Sequence, residues 1–320
     1  MKPAKSQSSN AHSGISNIAR GSGNMHRYRR IEFRIAAVTS ALLAIGSVAN
    51  AQTGPPAGGA AAAEAAAASM SRNIARDTSP LNPENSLDLL PAADHLEEKA
   101  YQDFRSVSPE NMAKKIDLGE HFLKRYPLSG YRAVVYSGLA AAYLMTNQVQ
   151  KMENAGEKAL ALNPKDVQVL AMLGQTIPRV LTASTPDQEK RLQKAEGYSK
   201  RAIEIIPTIA MPAGVGDQEF TRAKNQTLAL AHSGLGMVYF RRGDYPGTIT
   251  ELDQAVNLDP RGDATNYYVL GVANYNSKHF ADAAKAFSQC AQFSGNLQQT
   301  CKESAEKAKE LAAPLSGEPG

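Results

Sequence analysis

The chain repeats itself at a fixed interval. When ALAHSGLGMVYFRRGDYPGTITELDQAVNLDP (229–260) is set against ATNYYVLGVANYNSKHFADAAKAFSQCAQF (264–293), Leu235-Gly236 falls on Leu270-Gly271, Tyr245 on Phe280, Leu252 on Phe287 and Ala255 on Cys290, each pair 35 residues apart. Leu139-Ala140 precedes Leu173-Gly174 by 34 residues, and ALALNP (159–164) and AIEIIP (202–207) match AVNLDP (255–260). A period of this length leaves few choices. Each unit is one supersecondary piece that cannot bury its apolar face alone, so successive units must stack. No segment sustains a two-residue alternation of β-branched residues, so the pieces are helices and the fold class is all-α. Small residues such as Gly236, Gly271, Ala255 and Ala283 allow two helix axes to approach closely. Large ones such as Tyr239, Leu252 and Phe287 fill the space between neighbouring pairs.

These positions resemble the tetratricopeptide repeat, which places Leu-Gly in its first helix, Tyr three residues after the Gly, small and then large residues in its second helix, and a closing Pro. One unit carries Leu235, Gly236, Tyr239, Gly243, Tyr245, Leu252, Ala255 and Pro260. Another carries Tyr136, Leu139, Ala140, Tyr143, Ala159 and Pro164, and a third carries Tyr267, Leu270, Gly271, Phe280, Ala283 and Phe287. The resemblance implies a right-handed superhelical solenoid of antiparallel helix pairs over 132–312, closed by an amphipathic capping helix at 297–311 and followed by a tail at 313–320. The segment 92–131 reads as a divergent helix pair that precedes the array. Its end, FLKRYPLSGYRAVVY, resembles the repeats of bacterial envelope-assembly proteins. Within it, Ser108-Pro109-Glu110 predicts a helix start, and the helix should stop before Pro127. The array departs from the pattern in its middle. About nine residues are inserted near 182–190, Pro178 should kink or end its helix, and a second insertion includes 211–219.

The net charge of +4 is unevenly distributed. Residues 1–51 hold Lys2, Lys5, Arg20, Arg27, Arg29, Arg30 and Arg34 against Glu32 alone, and the remainder carries 28 basic and 30 acidic residues. No patch suited to a phosphate backbone follows, so nucleic acid is not an expected partner. The basic stretch MHRYRRIEFR (25–34), the apolar IAAVTSALLAIGSV (35–48) and Ala49-Asn50-Ala51 have the order of a secretory signal peptide, with cleavage expected between Ala51 and Gln52. The apolar run is short for a membrane span, so no membrane insertion is expected after cleavage. An uncleaved anchor is the alternative. Met25 reads as the start of that signal and 1–24 as an upstream extension, the alternative being a long n-region. Residues 52–91 begin with TGPPAGGAAAAEAAAAS and read as a low-complexity, mostly disordered linker. The expected location is periplasmic or extracellular.

Candidate chemistry is sparse. His95, His121, His232 and His279 lack metal-ligand spacing, no phosphate-binding or nucleophile-elbow motif occurs, and neither a catalytic residue, a cofactor nor a metal is expected. An enzyme with a site in the irregular 178–220 stretch, using acids such as Asp217 or Glu219, is the rival reading. Cys290 and Cys301 flank a turn at Ser294-Gly295-Asn296 at similar distances, which in an oxidising compartment predicts a disulfide. The resemblance assigns certain first-helix positions to a concave protein-binding groove: Met237, Phe240 and Arg241, with Ser233; Tyr268, Val272, Tyr275 and Asn276; Ala171, Gln175 and Arg179; and Ser137, Ala141, Leu144 and Met145. The family's clamp for acidic chaperone tails needs Lys and Asn where this chain has Ser233, Met237, Tyr268 and Val272. The expected function is an exported scaffold that binds a protein or peptide through that groove. A subunit of an envelope-assembly or secretion complex is the alternative within this class.

Overall fold

A computed structural model of the chain describes residues 80–81, 94–182 and 185–313. The expectations for residues 1–51, including cleavage at Ala51–Gln52, for most of 52–91 and for the tail after 313 lie outside the described residues. Pro80 and Leu81 are described and buried, Leu81 within the core.

The described residues contain helices and no strand. In chain order these are α1 (His95–Arg105), α2 (Met112–Arg125), α3 (Arg132–Met145), α4 (Val149–Leu162), α5 (Val167–Val180), α6 (Gln188–Ile205), α7 (Asp217–Arg242), α8 (Tyr245–Leu258), α9 (Ala264–Asn276), α10 (Phe280–Cys290) and α11 (Gln298–Ala312). Each helix packs on the next, and α7 also packs on α5 and α9, the other first helices of their pairs. This is the connectivity of a solenoid of helix pairs, α3/α4 through α9/α10, preceded by α1/α2 and closed by α11.

One contact recurs at the repeat interval. A β-carbon at Gly236 would lie 2.8 Å from the Leu252 side chain, and one at Gly271 would lie 2.6 Å from the Phe287 ring. In both pairs the first helix offers bare backbone and the second lays a large side chain on it. The same place in α5 is Gly174, whose partner is Ser199 on α6. Sixteen residues separate Gly236 from Leu252 and Gly271 from Phe287, whereas 25 separate Gly174 from Ser199. The difference is the nine-residue insertion, which the loop and the start of α6 absorb without disturbing the contact.

The turn between helices also repeats. Asn147, Gly243 and Lys278 adopt positive φ of 57°, 76° and 62°. Each is followed by an amide that reaches back five residues, Gln148 to Tyr143, Asp244 to Tyr239 and His279 to Asn274, at 2.8–3.0 Å. This six-to-one bond ends the first helix in the left-handed cap and reverses the chain into the second.

Two boundaries differ from the sequence reading. Helix α2 begins at Met112, not at Pro109, because Asn111 caps it by accepting from the Lys114 amide at 3.2 Å while Ser108 to Asn111 close a turn. Pro178 does not end α5 at once, since the helix runs two residues further to Val180. A proline removes the amide that would bond the carbonyl four residues back, here that of Gly174. Gly234 of α7 sits against this carbonyl so closely that a β-carbon there would lie 2.6 Å from it.

At the far end Cys290 and Cys301 are disulfide-bonded, with Cα atoms 5.8 Å apart. Cys301, Ala305 and Ala308 are the buried residues of α11. Lys302, Glu303, Glu306, Lys309 and Glu310 are exposed, which gives the array the polar terminal surface that a stacked repeat requires.

The Gly271 contact gives a paired prediction. Gly271→Ala forces the Phe287 ring to move and should cost about 1–3 kcal/mol, as overpacking does. Gly197, inside α6, has nothing within 4 Å of a β-carbon, so Gly197→Ala should stabilise by up to about 1 kcal/mol through helix propensity. Urea unfolding of the two variants reads both signs.

Candidate functional site

The residues assigned to a groove fall into two groups. Met237 and Tyr268 are 2% exposed and Val272 is 6% exposed. The Tyr268 ring packs on Phe287 at 5.9 Å, and burial pushes its hydroxyl up to about 12. These three residues therefore belong to the core and do not anchor a ligand. The reason is that α5, α7 and α9 pack against one another and close the stripe that the groove assignment left open. On α7 and α9 the half-buried group is Phe240, Arg241, Tyr275 and Asn276.

Two of these four are engaged within the chain. Arg241 donates from Nε to the Pro178 carbonyl at 2.9 Å and from a terminal nitrogen to the Arg179 carbonyl at 3.3 Å. These are carbonyls at the end of α5, where no intrahelical amide follows, so Arg241 caps a helix. Burial lowers its pKa from the ordinary value. The Asn276 amide donates to the Val272 carbonyl at 2.9 Å. Phe240 and Tyr275 remain at the C-terminal ends of α7 and α9. Phe240 faces Tyr245 with ring centres 6.3 Å apart, and Tyr275 meets Phe280 edge-on at 5.4 Å. The two aromatic pairs are 35 residues apart. The Tyr275 hydroxyl is buried and has no hydrogen-bond partner.

The closed stripe holds a polar cluster. Arg179 of α5 pairs with Asp263, the N-cap of α9, at 2.5 Å, and donates to Ser233 of α7 at 2.9 Å and to Asn266 of α9 at 3.1 Å. Ser233 donates to Asn266 at 2.6 Å, and the Gln175 amide reaches Ser233 at 3.4 Å. One arginine thus ties three first helices together. Burial pushes the Asp263 carboxyl up, but the Arg179 charge, the Thr265 amide and the hydrogen bond from Arg179 outweigh it and hold the carboxyl below its ordinary value. Asp263 and Asn266 were not singled out in the sequence. An Asp before a helix reads only as a cap, and its second partner lies 84 residues away.

Asp166, the N-cap of α5, contrasts with Asp263. One of its oxygens accepts from the Val169 amide at 3.1 Å. It is 2% exposed. Burial outweighs the bonds from Val169, Ser137 and Gln168 and pushes its carboxyl up to about 6.

Elsewhere His232 pairs with Glu251 of α8 at 2.7 Å. Among the described residues no three His, Cys, Asp or Glu side chains are placed to hold a metal. In the 178–220 stretch, Asp217 and Glu219 are exposed in the first turn of α7.

The two buried aspartates should respond in opposite ways. Arg179→Met leaves Asp263 buried and unpaired and should cost about 3–5 kcal/mol, while Arg179→Met with Asp263→Asn should regain at least half of that loss. Urea unfolding of the two variants measures it. The Asp263 contribution is present above the ordinary carboxylate pKa and is lost as pH falls through its lowered folded value. Asp166 has the opposite sign. Its raised pKa makes ionisation harder in the fold, so stability falls as pH rises from about 4 through 6. Asp166→Asn keeps a capping oxygen and removes the charge. A rise from 3.8 to about 6 corresponds to about 3 kcal/mol at about 1.4 kcal/mol per unit. The stability of Asp166→Asn relative to the parent should therefore improve by about 2–3 kcal/mol between pH 4 and pH 7.5. A constant difference across that range would contradict the assignment.

No family model matches the chain, and no curated protein matches it. Among solved structures, the chain is similar to a thermophilic tetratricopeptide-repeat protein of Thermus thermophilus, with 16% identity and a TM-score of 0.42 over 67% of this chain and 96% of that one. The recurring glycine contact, the recurring left-handed turn and the stacked helix pairs make this chain a helical-repeat solenoid in its own geometry.

Proposed function

We propose that the chain is an exported scaffold that holds another protein or peptide against the ends of α7 and α9. The observation that carries this reading is the doubled aromatic pair, Phe240 with Tyr245 and Tyr275 with Phe280, half-buried at the same place in consecutive repeats. Aromatic side chains bring large apolar area with little rotamer entropy, and Tyr is among the residues that dominate binding interfaces. The inner stripe is occupied by the Arg179 cluster, which supports the helix ends as the contact surface. Export is supported by the Cys290–Cys301 bond, which persists in oxidising compartments, and by the basic, apolar and Ala-x-Ala order of 25–51. The partner is a protein or peptide and not a nucleic acid, since the basic surplus is confined to the N-terminal segment.

A photo-crosslinking residue placed at Tyr275 in intact cells tests this proposal, with Lys309 on the outer face of α11 as the control position. A discrete adduct from position 275 and none from 309 is expected. Tyr275→Ala should unfold within about 1–2 kcal/mol of the parent, as substitutions outside a packed core do, and should abolish the adduct formed from a probe at Phe240. A loss of about 3–5 kcal/mol, typical of a deleted core ring, with the Phe240 adduct intact would refute the assignment.

A further inference from the structure

We infer a second binding cleft, one that takes an extended peptide bearing a carboxylate, between the first turns of α7 and the turn that joins α8 to α9. The inference rests on the scaffold reading and names another surface and a ligand chemistry for it. Helix α7 has 26 residues, whereas α3, α4, α5 and α8 have 14 and α9 has 13. The excess is at its N-terminus, where the turns around Asp217 to Gln226 extend past the pair that α7 forms with α8. The extension is fixed at its root. Phe220 is 9% exposed and belongs to the core, Lys224 lies over its ring at 5.2 Å, and the Lys224 ammonium bonds the Pro207 carbonyl at 3.1 Å. The opposite wall is fixed as well. Tyr267 donates to the Pro260 carbonyl at 3.0 Å, and the Gly262 amide closes the turn onto the Asp259 carbonyl at 3.1 Å.

The two walls border an open cleft of about 560 Å³, within the range of about 300–1,000 Å³ usual for ligand sites. Arg222, Asn225 and Gln226 line it from α7, Asp259 and Arg261 from the turn, and Asp217 stands at the helix start. Among the described residues, Arg222, Asn225, Gln226 and Arg261 make no side-chain hydrogen bond or ion pair, although Arg179, Arg191, Arg241 and Arg242 all do. Asn225 and Gln226 are half-buried. Each offers a donor and an acceptor, the complement of an extended main chain, whose amides and carbonyls alternate. A guanidinium on each wall presents a forked donor that fits a carboxylate. Asp217 and Asp259 leave these six side chains with no net charge, which disfavours a phosphate polymer. A wholly apolar segment could satisfy the two amides through its main chain but would leave both guanidiniums without an anion. An extended peptide with one acidic side chain satisfies the amides and both guanidiniums.

The test is fluorescence anisotropy of the full chain with labelled hexapeptide pools, N-acetylated and C-amidated, fixed at one central position as Glu, Gln, Lys or Leu. The Glu pool should bind at least tenfold more tightly than the Lys and Leu pools. Arg222→Ala and Arg261→Ala alter exposed side chains, so they should leave the melting temperature unchanged while weakening the Glu pool at least tenfold. Asn225→Ala with Gln226→Ala should weaken every pool that binds, whatever its central residue. Equal binding of the Glu, Lys and Leu pools, or binding that survives both arginine substitutions, overturns the inference. Displacement of the Glu pool by a thymidine 20-mer in an Arg222-dependent way also overturns it, in favour of nucleic acid. If any of these occurs while the Tyr275 adduct persists in cells, the cleft fails and the scaffold stands. Loss of both the peptide binding and the adduct removes both.

Discussion

Everything in this array depends on how closely two helix backbones approach. At Gly236 and Gly271 the first helix of a pair carries no side chain, and Leu252 or Phe287 occupies the space that a β-carbon would need. The gain is dispersion and apolar burial over the whole length of both helices. Once that distance is set, the left-handed turn at Gly243 or Lys278 follows, because only a tight reversal returns the chain at that separation. The stacking of one pair on the next follows in turn, because a large residue shielded on one side must be covered on the other.

The middle of the array shows what happens when this constraint is loosened locally. The insertion before α6 lengthens the connection, yet Gly174 still meets Ser199 on the second helix. Pro178 frees the Gly174 carbonyl, and Gly234 of the next first helix sits against it. A side chain at Gly234 would push α7 from α5 and separate Arg179 from Ser233, and one at Gly174 would push α5 from Ser199 of α6. The polar cluster is thus a consequence of the small residues. Burying a guanidinium and a carboxylate is costly unless they are paired and hydrogen-bonded, and it is the close packing of the first helices that supplies Ser233 and Asn266 as partners of Arg179. Arg241 acts on the same segment from outside by holding the last carbonyls of α5.

The fold was legible in the sequence because its information is local and periodic. Leu235-Gly236 and Leu270-Gly271, 35 residues apart, specify the close approach in their pairs, and Cys290 and Cys301 stand symmetrically about a visible turn. The site was less legible for a physical reason. A first-helix residue that lines an open groove in one arrangement becomes core in another, and the choice depends on how tightly α5, α7 and α9 close. That closure brings together Arg179 and Asp263, 84 residues apart, a relation no period reports. Tyr268 and Tyr275 illustrate it. They are seven residues apart on one helix, yet Tyr268 is sealed against Phe287 while Tyr275 stays half-buried at the helix end. The start of α2 was misplaced for a smaller reason of the same kind, two capping residues three positions apart with only backbone geometry to choose between them. The length of α7 was hidden because its extra turns, rich in polar residues, read as an insertion.

Closing the inner stripe leaves the helix ends as the surfaces proposed for recognition. In a stack of helix pairs the lateral faces of the first helices are the broadest surface, and here they are spent on holding the stack together. What remains are the helix ends. At one end of α7 the aromatic residues Phe240 and Tyr245 stand beside their counterparts on α9 and α10. At its other end the overhanging turns hold Arg222, Asn225 and Gln226 over the turn that follows α8. Both surfaces belong to the longest helix, and both are rigid because Phe220 anchors one end and Arg241 the other. A partner engaged at either end therefore bears on a single helix whose centre, Ser233 and Gly234, lies inside the buried cluster. The two surfaces are joined through the packed core of one helix and not through a loop.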